Sequence, residues 1–261
     1  MSSVFLLIAD DAYAPKAQLT IMEARTRGKW TGDIVWMTTP GVMNNEEYQS
    51  MVDSWNVEMI PLYNIQSSLW NHLPDGCEWK KYAQLRPNVY TKLGMMSVVF
   101  KKWDTVLYVD AGTRIFGPLS RLTKAVASAP GFLYAHSDSY PTYVWKLSIQ
   151  FDTGLLDEAS RDVFLQTFDT DRDYFQSTVM LYSTSIIEDS TMDDLVDLLH
   201  KWPISRGDQG IFNLYFNCMK GLWRPLPIRD DQGFLYDFLE RDHHAFHEYV
   251  MLKYPTTVTR K

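Results

Sequence analysis

Hydrophobic residues fall along this chain in short unbroken runs separated by stretches of helical period. That is the pattern of strands covered on both faces alternating with amphipathic helices. Residues 4–9 form an apolar run closed by Asp10-Asp11, and residues 17–27 place Leu19, Ile21 and Met22 on one helix face. Residues 33–37 read as a second strand stopped by Thr38-Thr39-Pro40-Gly41, residues 45–55 as a second helix and residues 57–62 as a third strand. This alternation predicts βαβ units, and so an α/β fold with a mainly parallel central sheet flanked by helices.

Residues 90–100 predict a helix with Leu93, Met96, Val99 and Phe100 on its apolar side, leading into the strand Val106-Leu107-Tyr108-Val109. That strand stops on Asp110, followed by Ala111 and Gly112. Ligands of open α/β sheets gather beyond the carboxyl ends of the strands, so Asp110 is the first candidate for chemistry, with turn capping as the competing role. A short helix over 118–126 and strands over 131–135 and 174–182 follow, then a helix over 191–201. Between about 137 and 173 no period emerges, which predicts a long insertion folding over a site. Residues 204–216 predict an apolar helix whose polar head, Ser205-Arg206-Gly207-Asp208-Gln209, sits at its N-terminus.

Composition narrows the function classes. With 261 residues, 46% hydrophobic and 22% charged, the chain is expected to form one globular domain with a substantial core. A net charge of -7 disfavours extended nucleic-acid binding and leaves room for a local basic pocket around one phosphorylated ligand. Cys77 and Cys218 are too few for a zinc cluster or a disulfide framework. No apolar stretch approaches the roughly 20 residues of a membrane span, and the N-terminus lacks a basic leader, so a cytoplasmic location is expected. Lys80, Lys81, Arg86, Lys92, Lys101 and Lys102 concentrate positive charge within an acidic chain. Lys92 falls near a predicted helix start, where a cation opposes the helix dipole, and an anionic ligand explains that placement better than helix stability does.

Four stretches, in this order, resemble glycosyltransferase family 8, the glycogenin-like retaining transferases of GT-A fold. Ile8-Ala9-Asp10-Asp11-Ala12-Tyr13-Ala14-Pro15-Lys16-Ala17 is similar to the first strand and loop that hold the uracil of a UDP-sugar, which implies Ala9, Asp10 and Tyr13 as nucleotide contacts. Arg86-Pro87 through Lys92 is similar to the stretch whose arginine and lysine approach the sugar and phosphates, where charge-assisted hydrogen bonds suit a diphosphate. Asp110-Ala111-Gly112 stands where the family has its metal-binding Asp-x-Asp, with Gly112 unable to supply the second ligand. The fourth resemblance joins Phe175-Gln176-Ser177-Thr178 to Gly207-Asp208-Gln209. Near the C-terminus, His247 and Lys253 keep the spacing of a further family element, in which they would meet metal and phosphate; His243 and His244 are rivals for His247.

The resemblance implies a GT-A, Rossmann-like nucleotide-sugar-binding domain over residues 1–261, with a nucleotide-binding half over about 1–110 and an acceptor and catalytic half over about 111–261. The expected activity is transfer of a hexosyl or pentosyl group from a UDP-sugar to a hydroxyl of a glycan or glycoprotein, with retention. Asp208 and Gln209 are the expected catalytic residues. Ala9, Asp10, Tyr13, Arg86, Lys92, Asp110, Ala111, Gly112, Gln176 and Lys253 are expected to bind the donor, and Asp110 with His247 to hold Mn²⁺ or Mg²⁺. A metal-free variant relying on Lys92, Arg86 and Lys253 is the alternative for the diphosphate. Two further alternatives are a catalytically silent sugar-binding protein and an inverting transferase whose base is Asp152, Asp157 or Glu158.

Overall fold

The computed structural model describes residues 2–65, 88–126, 131–139, 144–238 and 248–253. The chain begins with β1 (Ser3–Ile8), α1 (Ala14–Thr26), β2 (Asp33–Thr38), a single turn α2 (Pro40–Met43), α3 (Glu46–Trp55) and β3 (Val57–Pro61). Two 3₁₀ helices, Thr91–Met96 and Val98–Lys102, precede β4 (Thr105–Val109) and β5 (Thr113–Ile115). Next come α4 (Ser120–Val126), β6 (Leu133–Ser137), α5 (Glu158–Thr167), β7 (Phe175–Ser183), α6 (Thr191–Lys201) and α7 (Asp208–Phe212). The described chain closes with β8 (Trp223–Pro225), β9 (Arg229–Asp230), β10 (Gly233–Phe238) and β11 (Tyr249–Lys253).

Seven strands form the central sheet in the order β3-β2-β1-β4-β7-β6-β8. β1, β2, β3 and β4 pair in parallel, as do β6 and β8, while β7 runs against both β4 and β6. The expected α/β architecture with a mainly parallel sheet is therefore present. Alternation across the pleat explains the unbroken apolar runs: Val4, Leu6, Val106 and Tyr108 enter one core, while Phe5, Leu7, Leu107 and Val109 enter the other. Each strand needs apolar residues at every position because helices or loops cover both faces.

A second sheet, β5-β11-β10-β9, has no counterpart in the expectations from the sequence. Three of its strands span five residues or fewer, and β5 pairs with the distant β11, so local period carries little sign of them. Its register decides the site, because Lys253 at the end of β11 pairs opposite Thr113 at the start of β5. Asp110-Ala111-Gly112 is the turn by which the chain passes from the central sheet into this second one.

Two predicted helices depart from regular α geometry. The expected helix over 90–100 is two 3₁₀ segments broken at Ser97, whose backbone is extended and whose hydroxyl accepts from the Val99 amide. The expected helix over 204–216 begins only at Asp208 and continues beyond Phe212 as a π-helical segment, Asn213–Met219. Of the 137–173 stretch, in which the sequence shows no period, the described part contains α5 and two 3₁₀ turns, Leu147–Gln150 and Thr153–Leu155. It packs by aromatic contacts: Phe164 lies 5.2 Å from Phe151, 5.3 Å from Phe168 and 5.2 Å from Trp202, centroid to centroid. Among the described residues no helix is long and apolar enough to cross a membrane.

Candidate active site

Three elements converge at the carboxyl end of β4. The first is the Asp110 turn, fixed by the Asp110 amide donating to the Thr178 carbonyl of β7 at 2.8 Å. The second is Lys92 on the first 3₁₀ helix, and the third is Asp208 as the opening residue of α7. Lys92 Nζ stands 3.0 Å from Asp110 Oδ1 and 3.3 Å from Asp208 Oδ2. It also donates to the Ser177 carbonyl at 3.2 Å and lies 5.2 Å from the Tyr108 ring centroid. Tyr108 shares the strand face of Asp110 two residues on, and its hydroxyl donates to Asp110 Oδ1.

These groups set one another's protonation. Burial opposes the charge on Lys92, but Asp110 and Asp208 outweigh burial and hold its pKa above that of an ordinary lysine. Burial likewise favours the neutral form of Asp110, and the ammonium groups of Lys92 and Lys253 overcome it, so the carboxyl titrates below its usual range. Asp208 goes the other way: desolvation prevails over Lys92 and raises it. Two acids on one lysine thus differ in character, and Asp110 retains 27% of its side-chain exposure against 10% for Asp208. The anionic partner expected for Lys92 exists within the protein itself, as these two carboxylates.

Lys253 reaches the same turn from the second sheet. Its ammonium donates to the Ala111 carbonyl at 2.8 Å and lies 3.8 Å from Asp110 Oδ2. Gly112 adopts φ +86°, a left-handed conformation that favours glycine. Its amide donates to the Thr20 hydroxyl at 3.1 Å, and that hydroxyl in turn donates to the Thr113 carbonyl, also at 3.1 Å. Glu23, one turn further along α1, is buried and accepts from Arg114 Nε and from the Ile115 amide, each at 2.8 Å. These bonds hold α1 against the turn.

A second group of polar side chains lies beside the first. Asp138, just past β6, accepts from Gln176 Nε2 at 2.7 Å and from Gln209 Nε2 at 3.2 Å. Gln209 Oε1 accepts from the Ser177 amide at 3.1 Å. Asn213, one helical turn beyond Gln209, exchanges hydrogen bonds with both backbone groups of Phe175, which aligns the start of β7 with α7. The Gln176 carbonyl oxygen is buried without a hydrogen-bond partner among the described residues, a costly state for an amide unless a ligand group answers it.

The other expected nucleotide contacts lie at the end of β1. Asp10 accepts from the Tyr13 amide at 3.3 Å and from Asn88 Nδ2 at 3.2 Å, and Tyr13 precedes α1. Ala9 is buried, with its amide on Met37 and its carbonyl on the Thr38 hydroxyl, so its backbone serves the sheet. Arg86 and His247 lie outside the described residues, as do His243 and His244. The structure therefore brings together Lys92, Asp110, Ala111, Asp208 and Lys253, sets Gln176 beside Gln209, and places Asp10 with Tyr13.

From the sequence, Tyr108, Ser177 and Lys16 lie within the quoted stretches without a site role, and Asp138 is not singled out. Asp138 carried a usable signal, since it follows β6 as Asp110 follows β4. Of the acids considered as bases for inversion, Asp152 accepts from Arg206 Nε at 3.1 Å, and Asp157 caps α5 by accepting from the Ser160 amide at 2.8 Å. Both carboxylates have structural partners. The Asp152–Arg206 pair and a β-bridge between Phe151 and Ser205 brace the loop that delivers Asp208.

The described residues do not suit a divalent cation. Metal ions of the Mn²⁺ and Mg²⁺ kind take several oxygen ligands, and each oxygen of Asp110, the expected ligand among the described residues, already faces an ammonium group. Gly112 offers no side chain. Among the described residues no group of three or more His, Cys, Asp or Glu is placed to hold a metal ion.

No protein-family model matches this chain, and no curated protein does. Solved structures resemble it. Galactosyltransferase LgtC, in complex with donor and acceptor sugar analogs, gives a TM-score of 0.58 at 12% identity over 97% of this chain and 87% of that one. The bifunctional glycosyltransferase WbbM, in its apo form, gives 0.57 at 16% identity over 97% of this chain and 45% of that one. Mouse xyloside xylosyltransferase 1 gives 0.52 at 13% identity, covering 92% of this chain and 88% of that one. At such identities the likeness is one of fold, and the chain has the GT-A fold of these glycosyltransferases.

Proposed function

We propose that this protein is a glycosyltransferase, a divergent relative of family 8, that moves a sugar from a nucleoside diphosphate, UDP first among them, to a hydroxyl of a glycan or glycosylated acceptor with retention of configuration. The observation that carries the proposal is the Lys92 bridge between Asp110 and Asp208 at the carboxyl end of β4. It joins the turn expected to meet the diphosphate to the residue expected beneath the sugar. Ligand placement beyond the strand ends in α/β sheets supports the same location.

In this reading Asp10 and Tyr13 receive the nucleobase, with Asn88 orienting Asp10. Departure of the sugar leaves added negative charge on the diphosphate, and Lys253 at the Ala111 carbonyl is placed to oppose it. Asp208, held on Lys92, stabilises positive charge developing at the anomeric carbon. The acceptor hydroxyl attacks from the face the diphosphate vacates and gives its proton to the departing phosphate oxygen. Gln209 is a positioning residue whose amide holds Ser177 and Asp138, while the unsatisfied Gln176 oxygen accepts from a sugar hydroxyl.

A thermal-shift screen of UDP- and GDP-sugars identifies the donor, because a ligand that binds the native state raises apparent stability. NMR of the product then gives its anomeric configuration. Asp208→Asn is expected to abolish transfer while donor binding persists. No stabilisation by any nucleotide sugar overturns the proposal, and binding without transfer by the wild-type protein identifies a silent binding protein instead.

A further inference from the structure

We infer that the donor's diphosphate is held at the Asp110-Ala111-Gly112 turn by two ammonium groups, those of Lys16 and Lys253, without a divalent ion between protein and phosphate. This inference rests on the transferase reading and goes further by naming the counter-charge. It begins with what occupies the space around Gly112. A Cβ built on Gly112 would lie 3.2 Å from Lys16 Cδ and 3.7 Å from Lys16 Cβ. The aliphatic chain of Lys16 therefore packs closely beside the place of a Cβ at position 112, and the φ of +86° already favours glycine there. Missing carboxylate and added cation are one local arrangement.

Lys16 is fixed in this position by its helix. It stands in the first turn of α1, and Thr20, one turn on, receives the Gly112 amide and donates to the Thr113 carbonyl. Arg114 and the Ile115 amide are bound by Glu23 on the same helix. Lys16 Nζ lies 4.9 Å from the ring centroid of Tyr13, the residue read as facing the nucleobase. Its ammonium thus lies over the Tyr13 ring while its stem lies against Gly112.

Lys253 faces the other oxygen of Asp110. Oδ2 of Asp110 faces Lys253 Nζ at 3.8 Å, while Oδ1 faces Lys92 at 3.0 Å. An added dication would meet repulsion from both lysines. Ammonium groups, by contrast, satisfy phosphate oxygens directly with charge-assisted hydrogen bonds. Lys92 is committed to Asp110 and Asp208, which leaves the outward cation role to Lys16 and Lys253.

Calorimetric titration with UDP, and with GDP in parallel, tests this in excess EDTA and in excess Mn²⁺. The expected result is a Kd that differs less than threefold between the two conditions. Lys16→Met is expected to weaken UDP binding at least tenfold, whereas Lys16→Arg, which restores the charge, recovers most of it. Lys16 is exposed, so its replacement leaves the core intact, and circular dichroism verifies this. Tenfold or greater loss of UDP affinity on adding EDTA overturns the inference while leaving the transferase reading in place, as does wild-type affinity in Lys16→Met. If neither nucleotide binds in either condition, the transferase reading falls and takes the inference with it.

Discussion

Replacement of Lys92 by methionine removes the one cation shared by Asp110 and Asp208 while preserving most of the buried aliphatic stem. At 3.0 and 3.3 Å, and with an effective dielectric of about 20, each gross Coulomb attraction is roughly 5 kcal/mol. Desolvation of three charged groups opposes that sum, so the net loss is closer to the ~3–5 kcal/mol seen when a buried pair loses one partner. Asp110 keeps partial exposure and the company of Lys253, which places the expectation at the lower end, about 3 kcal/mol at pH 8. For a domain of this size that corresponds to a fall in Tm of roughly 6–12 °C. The effect has a sign in pH. In the wild-type protein Asp110, titrating below its ordinary range, contributes stability that is lost as pH falls through its folded pKa, whereas Asp208, titrating above its range, costs stability when ionised. Without Lys92 both carboxyls move upward, so the folded variant takes up protons before the unfolded chain does. The difference between wild type and variant is therefore expected to narrow between pH 8 and pH 5, by about 1.4 kcal/mol for each unit by which a carboxyl is raised within that window. Urea denaturation of both proteins at the two pH values measures it. A loss independent of pH, or one below about 1 kcal/mol at pH 8, would refute the view that Lys92 serves two ionised acids.

Two further substitutions probe the frame of the site. Thr20→Val is expected to cost about 1–3 kcal/mol in chemical denaturation, since it strips the Gly112 amide of its acceptor and the Thr113 carbonyl of a donor, and Thr20→Ser to restore most of that stability. An unchanged midpoint for Thr20→Val would show that α1 does not hold the turn. Asp152→Asn keeps shape and part of the hydrogen bonding to Arg206, so kcat is expected to fall less than tenfold; a loss of about 10²–10⁴ would instead make Asp152 the base of an inverting reaction.

The central sheet was legible because its signal is local. A run such as Phe5-Leu6-Leu7 alternates between two cores, and only a strand covered on both sides accepts apolar residues at every position. The second sheet was not, since β5, β9 and β11 span five residues or fewer, and the pairing of β11 with β5 crosses a distance that no local period encodes. The helix expected over 90–100 failed for a related reason: its apolar spacing fits a helix, but Ser97 prefers to cap, and the chain divides there into two tighter turns.

At the site, residue identity carried further than residue environment. Asp110, Asp208, Lys92 and Lys253 were each recognisable by position in a motif, yet nothing in their spacing says that Lys92 spends its charge on the two acids. That pairing decides the chemistry available. A lysine free to meet phosphate would make the diphosphate site a matter of Lys92, Arg86 and Lys253, as the sequence implies; in the proposed reading a lysine locked between carboxylates serves as a scaffold, and the outward role falls to cations held on other elements. Lys16 comes from the first turn of α1 and Lys253 from the last residue of β11, more than two hundred positions apart in the chain. They meet at one turn because Thr20 binds the Gly112 amide and Lys253 pairs opposite Thr113. Glycine at position 112 and lysine at position 16 lie against each other at this turn, where a Cβ on Gly112 would stand 3.2 Å from Lys16 Cδ.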